Sequence, residues 1–456
     1  MFSAFLNAFR IKELRNKIFF TAGVIVLCRI AANIPCPGVD TKNLKTYFDS
    51  FGADSAAGQF MGMFDLFSGG ALQQFAIGAL GIMPYISASI IMQLLVPVVP
   101  SLEKLSREGE VGRGRINQYT RYLTILICIV QGAMAAVAMT TPSNLGLPAP
   151  DPAFPLVTNP GFGFIAMSVC ILTAGTMILV WLGERITEHG IGNGVSIIIT
   201  INIIERLPQA LAGLYEMMIS GATAGGGRFR PVHLLILLML FAVVTALTVI
   251  LTQGQRRIPI QMAKKIVGSK MTGGSTYIPL KVNFSGVMPI IFAGAILIFP
   301  GVLLRAIPVQ SVQRMSAYFN HDTYTYMVCY GILILLFSYF WVANMFNPIQ
   351  VADHLKKEGA YIPGIRPGKP TSDFLDYSMT RVTFAGALYL LALAVLPMLL
   401  YKWFRIPYNV ASFFGGTSLL IIVGVTIDTL SQMESHLVMK NYDGFLKRGR
   451  LRSRRG

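Results

Sequence analysis

Charge, histidine and cysteine are all scarce in this chain of 456 residues, and each scarcity excludes a class of protein. Charged residues make up only 13% of the sequence, about half the share that is usual in soluble domains. The five histidines are scattered, and none of the five cysteines forms a CxxC pair. Neither a metal site nor a disulfide framework is indicated, so we expect ordinary buried cysteines and no cofactor.

Catalytic sequence motifs are also missing. The sequence contains no GxxxxGK[ST] loop for a nucleotide, no HExxH or GxSxG motif and no dinucleotide-binding fingerprint. An enzyme is therefore not expected. The centres of the apolar runs are almost bare of charge, with Arg29 as one exception and Asp428 near the end of the last run. This argues against ion-coupled transport, which usually places ionisable residues near mid-membrane, but it allows a passive pore with apolar walls.

The chain is rich in apolar sequence, at 54% apolar residues and a mean hydropathy of +0.59. A membrane-spanning helix needs about 20 apolar residues. Ten such runs lie near 18–36, 73–98, 119–140, 162–182, 192–213, 231–252, 285–304, 323–344, 381–400 and 410–431. The sequence thus predicts an all-α polytopic membrane protein with ten transmembrane helices.

The basic residues are divided unevenly between the two sides of the predicted membrane. Of the 38 lysines and arginines, 28 fall on one side and nine on the other, while Arg29 lies inside the first span. This distribution predicts that both termini are cytoplasmic. Ten spans also divide into two five-helix halves of opposite topology, 1–213 and 214–436, followed by a basic tail at 437–456. That division rests on the number of spans, because no clear sequence repeat is visible.

The stretch MGMFDLFSGGALQQ at 61–74 is apolar, interrupted by glycine and too short to cross a bilayer. By the predicted topology it lies on the outer side, directly before the second span. Asp65 disfavours insertion into lipid, and the Ser68-Gly69-Gly70 sequence provides a hinge to that span. The composition fits a short element packed inside a protein cavity, either a re-entrant turn or a gate.

Two long cytoplasmic loops, at about 253–283 and 345–380, carry clustered positive charge. Loops that only set topology are basic too, yet these are longer than topology requires. Arg256 and Arg257 in the first loop suit an RNA backbone or an acidic protein surface. In the second loop, proline and glycine around Arg366 predict a turn that presents its side chain outward, where arginine suits carboxylate or phosphate.

Several long motifs occur together in one order. They are MFDLFSGGAL at 63–72, GIMPYISASIIMQLL at 81–95, WLGERITEHGIGNGVSIII at 181–199, QRRIP at 255–259, NPIQVADHLKKEGAYIPGIRPG at 347–368 and FGGTSLLI at 414–421. In this combination the sequence resembles the SecY family, the channel subunits of the bacterial Sec translocon, from about residue 12 to residue 449. The resemblance implies a central pore for polypeptides enclosed by two halves of five helices each.

The resemblance also assigns roles to residues. It implies an aliphatic pore ring and, at about 61–72, a plug that closes the outer funnel at rest. The ring is Ile82, Ile86, Val195, Ile199, Ile291 and Ile421, and the plug contains Met63, Phe64, Asp65, Leu66, Phe67, Ser68, Gly69 and Gly70. Val195 departs from the usual isoleucine by one methylene. A lateral gate is implied between the second and seventh spans, where Pro84 and Pro289 are expected to interrupt helix hydrogen bonding and let the wall flex.

Partners are implied as well, because no nucleotide site is visible. They are the motor ATPase SecA, the translating ribosome, the small membrane subunits SecE and SecG, secretory preproteins, nascent membrane proteins and membrane lipid. The family assigns motor coupling to Arg366 and contacts with ribosome and motor to Arg256 and Arg257. The expected location is the bacterial plasma (inner) membrane. Two alternatives stay open, namely a secondary transporter for small solutes and a membrane scaffold with no conducting path.

Overall fold

The structure is a computed structural model that describes most of the chain. The described residues are 11–50, 68–142, 155–205, 207–208, 211–212, 214–215, 231–262, 265–267, 270–272, 275–294, 296–297, 323–404 and 417–448. The chain divides into two compact units, one made of Met1–Ala212 with Val425–Gly456 and the other of Gly213–Gly424. Both units are helical, and the second also contains two small antiparallel sheets.

Twelve helices and five strands have defined bounds within the described residues. They are α1 (Lys12–Asn33), α2 (Thr41–Ser50), α3 (Met83–Val98), α4 (Pro100–Arg107), α5 (Glu110–Thr140), α6 (Phe162–His189), α7 (Gly194–Ile204), α8 (Pro231–Gln253), β1 (Gln255–Met262), β2 (Lys265–Val267), β3 (Lys270–Thr272), β4 (Ser275–Lys281), α9 (Tyr324–Met345), α10 (Pro348–Lys357), β5 (Ala360–Tyr361), α11 (Lys369–Phe404) and α12 (Thr417–Arg448). A further short helical stretch covers 288–294.

Each of the ten predicted spans overlaps helical residues, which is consistent with a ten-span protein. Within the described part of the chain, four helices are long and apolar enough to cross a membrane by themselves. They are α5 (Glu110–Thr140), α6 (Phe162–His189), α9 counted together with α10 (Tyr324–Lys357) and α11 as far as Leu400 (Lys369–Leu400). A fifth span is obtained if α3 and α4, which meet at an angle of 102°, are counted as one.

The second span differs from its prediction at its beginning. Helix α3 starts at Met83 rather than near residue 73, and residues 69–82 form turns. Gly69, Gly70 and Gly81 have φ values of 62°, 78° and 58°, which a continuous α-helix does not allow. Hydropathy alone does not register this, because the turns are as apolar as the helix that follows.

The proline kinks expected in the second and seventh spans are wrong. Pro84 lies in the first turn of α3, and Pro289 is the second residue of the helical stretch that begins at 288. At a helix start the missing N–H has no intrahelical acceptor to lose, so neither proline breaks a helix from within. Pro97 does lie inside α3, next to the bend toward α4. The bend that the structure shows in this span therefore lies at the C-terminal end of α3.

In the first unit, α5 packs against α3 and α6, and α6 packs against α1 and α7. The exposed face of α5 is apolar and includes Tyr122, Leu126 and Val130, which recur at intervals of four residues. Its buried face carries small side chains such as Cys128 and Ala136. Large apolar side chains on the exposed face and small side chains on the buried face suit a helix that contacts lipid on one side and packs closely against other helices on the other.

All five cysteines are free thiols. Cys28, Cys36 and Cys128 are buried and Cys329 is half-buried, in keeping with the expectation of ordinary apolar packing. Cys170 on α6 is exposed, so the prediction of burial was wrong at that position. An exposed cysteine on an apolar helix is compatible with a lipid-facing surface.

The second unit has an apolar core between α8, α9, α11 and the start of α12, formed by residues such as Ile290, Ile334 and Leu390. The two predicted cytoplasmic loops are more ordered than the sequence indicated. Strand β1 pairs antiparallel with β4 from the first loop and with β5 from the second, giving the order β4-β1-β5. This predominantly helical protein therefore contains a small three-stranded sheet outside the predicted spans.

Candidate functional site

The predicted pore-ring residues are divided between the two units. Ile82 is the N-cap of α3, and its carbonyl accepts the Ile86 N–H at 3.1 Å, so the two side chains are one turn apart. Both are buried, at 1% and 5% exposure. In the second unit, Ile421 is buried on α12 and Ile291 is half-buried in the helical stretch at 288–294. A closed girdle formed by all six side chains stays a prediction.

Helix α7 carries the other two ring candidates, Val195 and Ile199, both half-buried. Their spacing of four residues puts them on one helix face, and Asn202 continues the same face three residues further on. The helix begins at a glycine-rich turn in which the Asn193 Oδ1 accepts the Ser196 N–H at 3.3 Å. Asn193 is therefore the N-cap of α7.

Only the end of the predicted plug is described. Met63, Phe64, Asp65, Leu66 and Phe67 lie outside the described residues, whereas Ser68, Gly69 and Gly70 lie within them. Ser68 is buried, and its hydroxyl oxygen accepts the Leu72 N–H at 3.4 Å. Gly69 and Gly70 both occupy the left-handed region that favours glycine, as a hinge sequence requires.

The residues that follow this glycine turn are bonded to the end of α1. The Ile77 N–H donates to the Ile34 carbonyl at 2.9 Å, and the Cys36 N–H donates to the Phe75 carbonyl at 2.9 Å. Phe75 is fully buried in an apolar cluster with Leu44 and Leu172. The start of the second span is thus fixed to the first span through backbone hydrogen bonds.

The three predicted docking arginines are all exposed and belong to one folded body. Arg256 and Arg257 are neighbours on β1, so their side chains leave opposite faces of the strand. The Arg257 guanidinium lies 4.8 Å from the centre of the Tyr277 ring on β4. The Arg366 carbonyl accepts the Thr371 hydroxyl at 2.8 Å, which holds the turn before α11.

The sheet joins the two docking segments physically. Gln261 and Met262 of β1 pair with Tyr361 and Ala360 of β5, and the Tyr361 hydroxyl donates to Gln261 Oε1 at 3.0 Å. A buried cluster lies beneath, built from both loops and from α9 and α11. Its members are Ile258, Leu280, Val342, Ile362, Leu375 and Met379. Sequence reasoning treated the loops as two separate surfaces, whereas they share one core.

A polar cluster that the sequence reading missed surrounds Arg29. Its guanidinium forms an ion pair with Glu205 at the C-terminal end of α7 and a hydrogen bond with the Asn202 side chain. Its Nη1 also lies 3.5 Å from the Gly69 carbonyl oxygen. Arg29 is only 21% exposed, and Glu205 is 37% exposed. The sequence contained a signal for this cluster, because an arginine inside an apolar span calls for a partner and Glu205 falls inside another predicted span.

Known proteins resemble this chain over most of its length. Residues 76–430 match the family model of SecY. The protein translocase subunits SecY of Chlamydia muridarum and Streptomyces galbus are 40% and 44% identical to it. Both alignments cover 98% of this chain, and they cover 99% and 100% of the two relatives respectively.

Solved structures with the same fold are more distant in sequence. One, described as the structure of a protein conducting channel, matches with a TM-score of 0.59 and 18% identity. Another matches with a TM-score of 0.57 and 19% identity. It is described as showing that the plug domain of the SecY protein stabilises the closed state of the translocation channel and maintains a membrane seal. Each match covers 92% of both chains. With protein translocase subunits as relatives over nearly its whole length, this chain belongs to the SecY family.

Proposed function

We propose that this chain forms the protein-conducting channel of a general secretory (Sec) translocase. It passes unfolded secretory proteins across the membrane and releases apolar segments sideways into the bilayer. The observation that carries this function is the identity of 40–44% to SecY translocase subunits along 98% of the chain. The family consists of channel subunits rather than enzymes, which agrees with the lack of catalytic motifs in the sequence.

The proposed throat is a girdle of branched aliphatic side chains contributed by both units. Its members are Ile82, Ile86, Val195, Ile199, Ile291 and Ile421. A channel for polypeptides must admit many kinds of side chain and still hold back ions at rest. A narrow hydrocarbon constriction achieves both, because it expels water when closed and deforms around a passing chain without binding it.

The proposed plug contains residues 63–70, on the outer side of that girdle. Support comes from the described end of the segment, where Gly69 and Gly70 form a left-handed turn before the anchored residues 75–78. The similar SecY structure whose plug domain is described as maintaining a membrane seal gives a precedent within the family. At rest the plug would add a second barrier in series with the girdle.

Lateral release requires a seam in the channel wall, which we propose lies between α3 and the span near 285–304. The sorting signal is the free energy of transfer, about −0.3 to −0.6 kcal/mol for each large apolar residue and about +2.5 to +3.5 kcal/mol for a central charge. A segment of about 20 apolar residues therefore leaves toward lipid, whereas polar sequence continues across the membrane. Since Pro84 and Pro289 lie at helix starts, opening would move whole helices rather than bend them at these two prolines.

Energy for transport would come from partners that dock on the sheet and the turn described above. We propose SecA and the ribosome as these partners, with Arg256, Arg257 and Arg366 as contacts, and SecE and SecG as the small membrane subunits. The location would be the bacterial inner membrane with both termini in the cytoplasm. The excess of 28 basic residues over nine on the docking side supports this orientation.

A reconstituted system tests the proposal. Proteoliposomes that contain this chain with SecE and SecG should import a radiolabelled presecretory protein when SecA and ATP are added, and omission of either should abolish import. The rival secondary transporter predicts uptake of small solutes without SecA, and the relatives of this chain give that alternative no support. Failure to import any preprotein under these conditions would contradict the channel function.

A further inference from the structure

Three side chains of the first unit meet at one point on the outer part of the predicted membrane region. Arg29 comes from α1, whereas Asn202 and Glu205 come from the last turn and the C-cap of α7. The C-terminal ends of helices carry partial negative charge, so a cation near the ends of both α1 and α7 is favoured there. Glu205 itself is poorly placed at a helix C-terminus unless a cation such as Arg29 compensates it.

The backbone turn at Gly69 rests directly on this ion pair. A Cβ added at Gly69 would lie 2.9 Å from Arg29 Nη2 and 2.9 Å from Glu205 Oε2, so no larger residue fits without displacement. A Cβ added at Gly70 would meet nothing within 4 Å. Both glycines have positive φ, of 62° and 78°. The two neighbours therefore share the same backbone requirement, and only Gly69 is in contact with the charged pair.

We propose that Arg29, Asn202 and Glu205 form a latch that holds the Gly69 turn in the resting channel. This inference rests on the proposed function, in which Gly69 belongs to the end of the plug. Downstream of the turn, residues 75–78 are bonded to α1 through the backbone and cannot follow a displacement cheaply. The latch holds Gly69, which lies just before these hydrogen-bonded residues. Its strength therefore sets how readily the Gly69 turn moves away from α1 and α7.

The chemistry of the latch suits a contact that must open and close. The carbonyl of Gly69 lies 3.5 Å from Arg29 Nη1, at the long limit of a hydrogen bond, so it is the weakest of the three contacts. When it breaks, the guanidinium keeps its ion pair with Glu205 and its hydrogen bond with Asn202, so the charge of Arg29 is not left unpaired in an apolar region. Partial exposure of the pair lets water take the place of the carbonyl.

The test is the ion leak of the resting channel, measured in planar bilayers with the SecE and SecG complex and without SecA. Glu205→Gln removes the charge and keeps the shape, and it should raise the leak about fivefold, the effect of losing a partly exposed ion pair from the closed state. Glu184→Gln is the matched control. Glu184 forms a bidentate ion pair with Arg121 in the same unit, away from Gly69. Arg121 Nε donates to Glu184 Oε1 at 3.1 Å, and Arg121 Nη2 donates to Glu184 Oε2 at 2.7 Å.

A glycine pair gives a second, independent comparison. Gly69→Ala and Gly70→Ala both place alanine at a positive φ, but only the Cβ at Gly69 meets the ion pair, so that either the turn or the two charged side chains must shift. We expect more leak from Gly69→Ala than from Gly70→Ala. Equal leak in the two alanine variants, together with equal leak in the two glutamine variants, would overturn the latch.

A variant lacking residues 61–72 separates failure of the latch from failure of the proposed function. If that deletion leaks while Glu205→Gln and Gly69→Ala remain as tight as the unchanged channel, the latch is wrong and the plug stands. If the deletion variant shows no more ion leak than the unchanged channel, the plug assignment is wrong, and the latch is wrong as well. Leak in the deletion and in both latch variants, with tight controls, is the result that supports the inference.

Discussion

Gly175 of α6 is a residue whose smallness sets the distance between two elements. A Cβ at this position would overlap the carbonyl oxygen of Ile77 in the turn region before α3. Backbone atoms cannot rotate away as a side chain can, so the close approach of α6 to this segment depends on the missing Cβ. Because residues 75–78 are also bonded to α1, Gly175 helps to fix the base of the proposed plug.

We therefore expect Gly175→Ala to destabilise the protein by about 1–3 kcal/mol, the usual effect of overfilling a packed site. Gly23→Ala is the matched control, because Gly23 lies within α1 and its added Cβ would meet nothing within 4 Å. Alanine there should be neutral or stabilising by up to about 1 kcal/mol through helix propensity. Thermal unfolding of the purified complex in detergent measures both, and equal midpoints for the two variants would contradict the packing argument.

Among the secondary-structure elements, the sheet β4-β1-β5 connects the two segments of the proposed docking surface. It ties the exposed Arg256 and Arg257 to the segment that leads into the Arg366 turn through strand pairing and a shared apolar cluster. Gly364 and Gly368, with φ of 82° and 104°, bracket the Arg366 turn. The turn is thus rigidly built, and its arginine is presented without the entropy cost of ordering a free loop.

Arg366→Glu should reduce SecA-driven import into proteoliposomes at least about tenfold, because reversing a contact charge places like charges together in the complex. Folding should be unaffected, since the Arg366 side chain is exposed. Lys369→Glu, three residues away and also exposed, is the control for a change of net charge in the same segment. Equal import by Arg366→Glu and Lys369→Glu would remove the specific docking role from Arg366.

At the scale of the whole molecule, the proposed pore girdle takes its residues from both compact units. Ile86 represents the first unit and Ile291 the second. We expect Ile86→Asn and Ile291→Asn each to raise the resting ion leak about tenfold, because a buried amide costs about 1–3 kcal/mol in the dry closed state and holds water in the constriction. Ile86→Leu keeps the apolar volume and should leave the leak unchanged.

Conductance recordings of these variants decide whether the two units contribute to one barrier. If Ile86→Asn leaks and Ile291→Asn does not, the girdle is confined to the first unit. If neither leaks in a complex that still imports preprotein, the assignment of these positions to the throat is wrong.

The helices were predictable because their signal is local. Runs of about 20 apolar residues mark membrane spans wherever they occur, and every predicted run overlaps helical residues. The start of α3 was missed for the opposite reason. Residues 75–82 are apolar, yet the turns before α3 depend on glycine φ values and on hydrogen bonds to α1, which hydropathy does not encode.

The sequence by itself determined that this chain is a helical membrane protein of the SecY family, because hydrophobic run length, the placement of basic residues and long motifs are all properties of the linear chain. It also marked Arg29 as an unusual charge in an apolar span. The tertiary structure decided which side chains pair with Arg29, and that strands from the two basic loops form one sheet. Those facts depend on contacts between residues more than 90 positions apart, such as Arg29 with Asn202 and Gln261 with Tyr361, which no local pattern specifies.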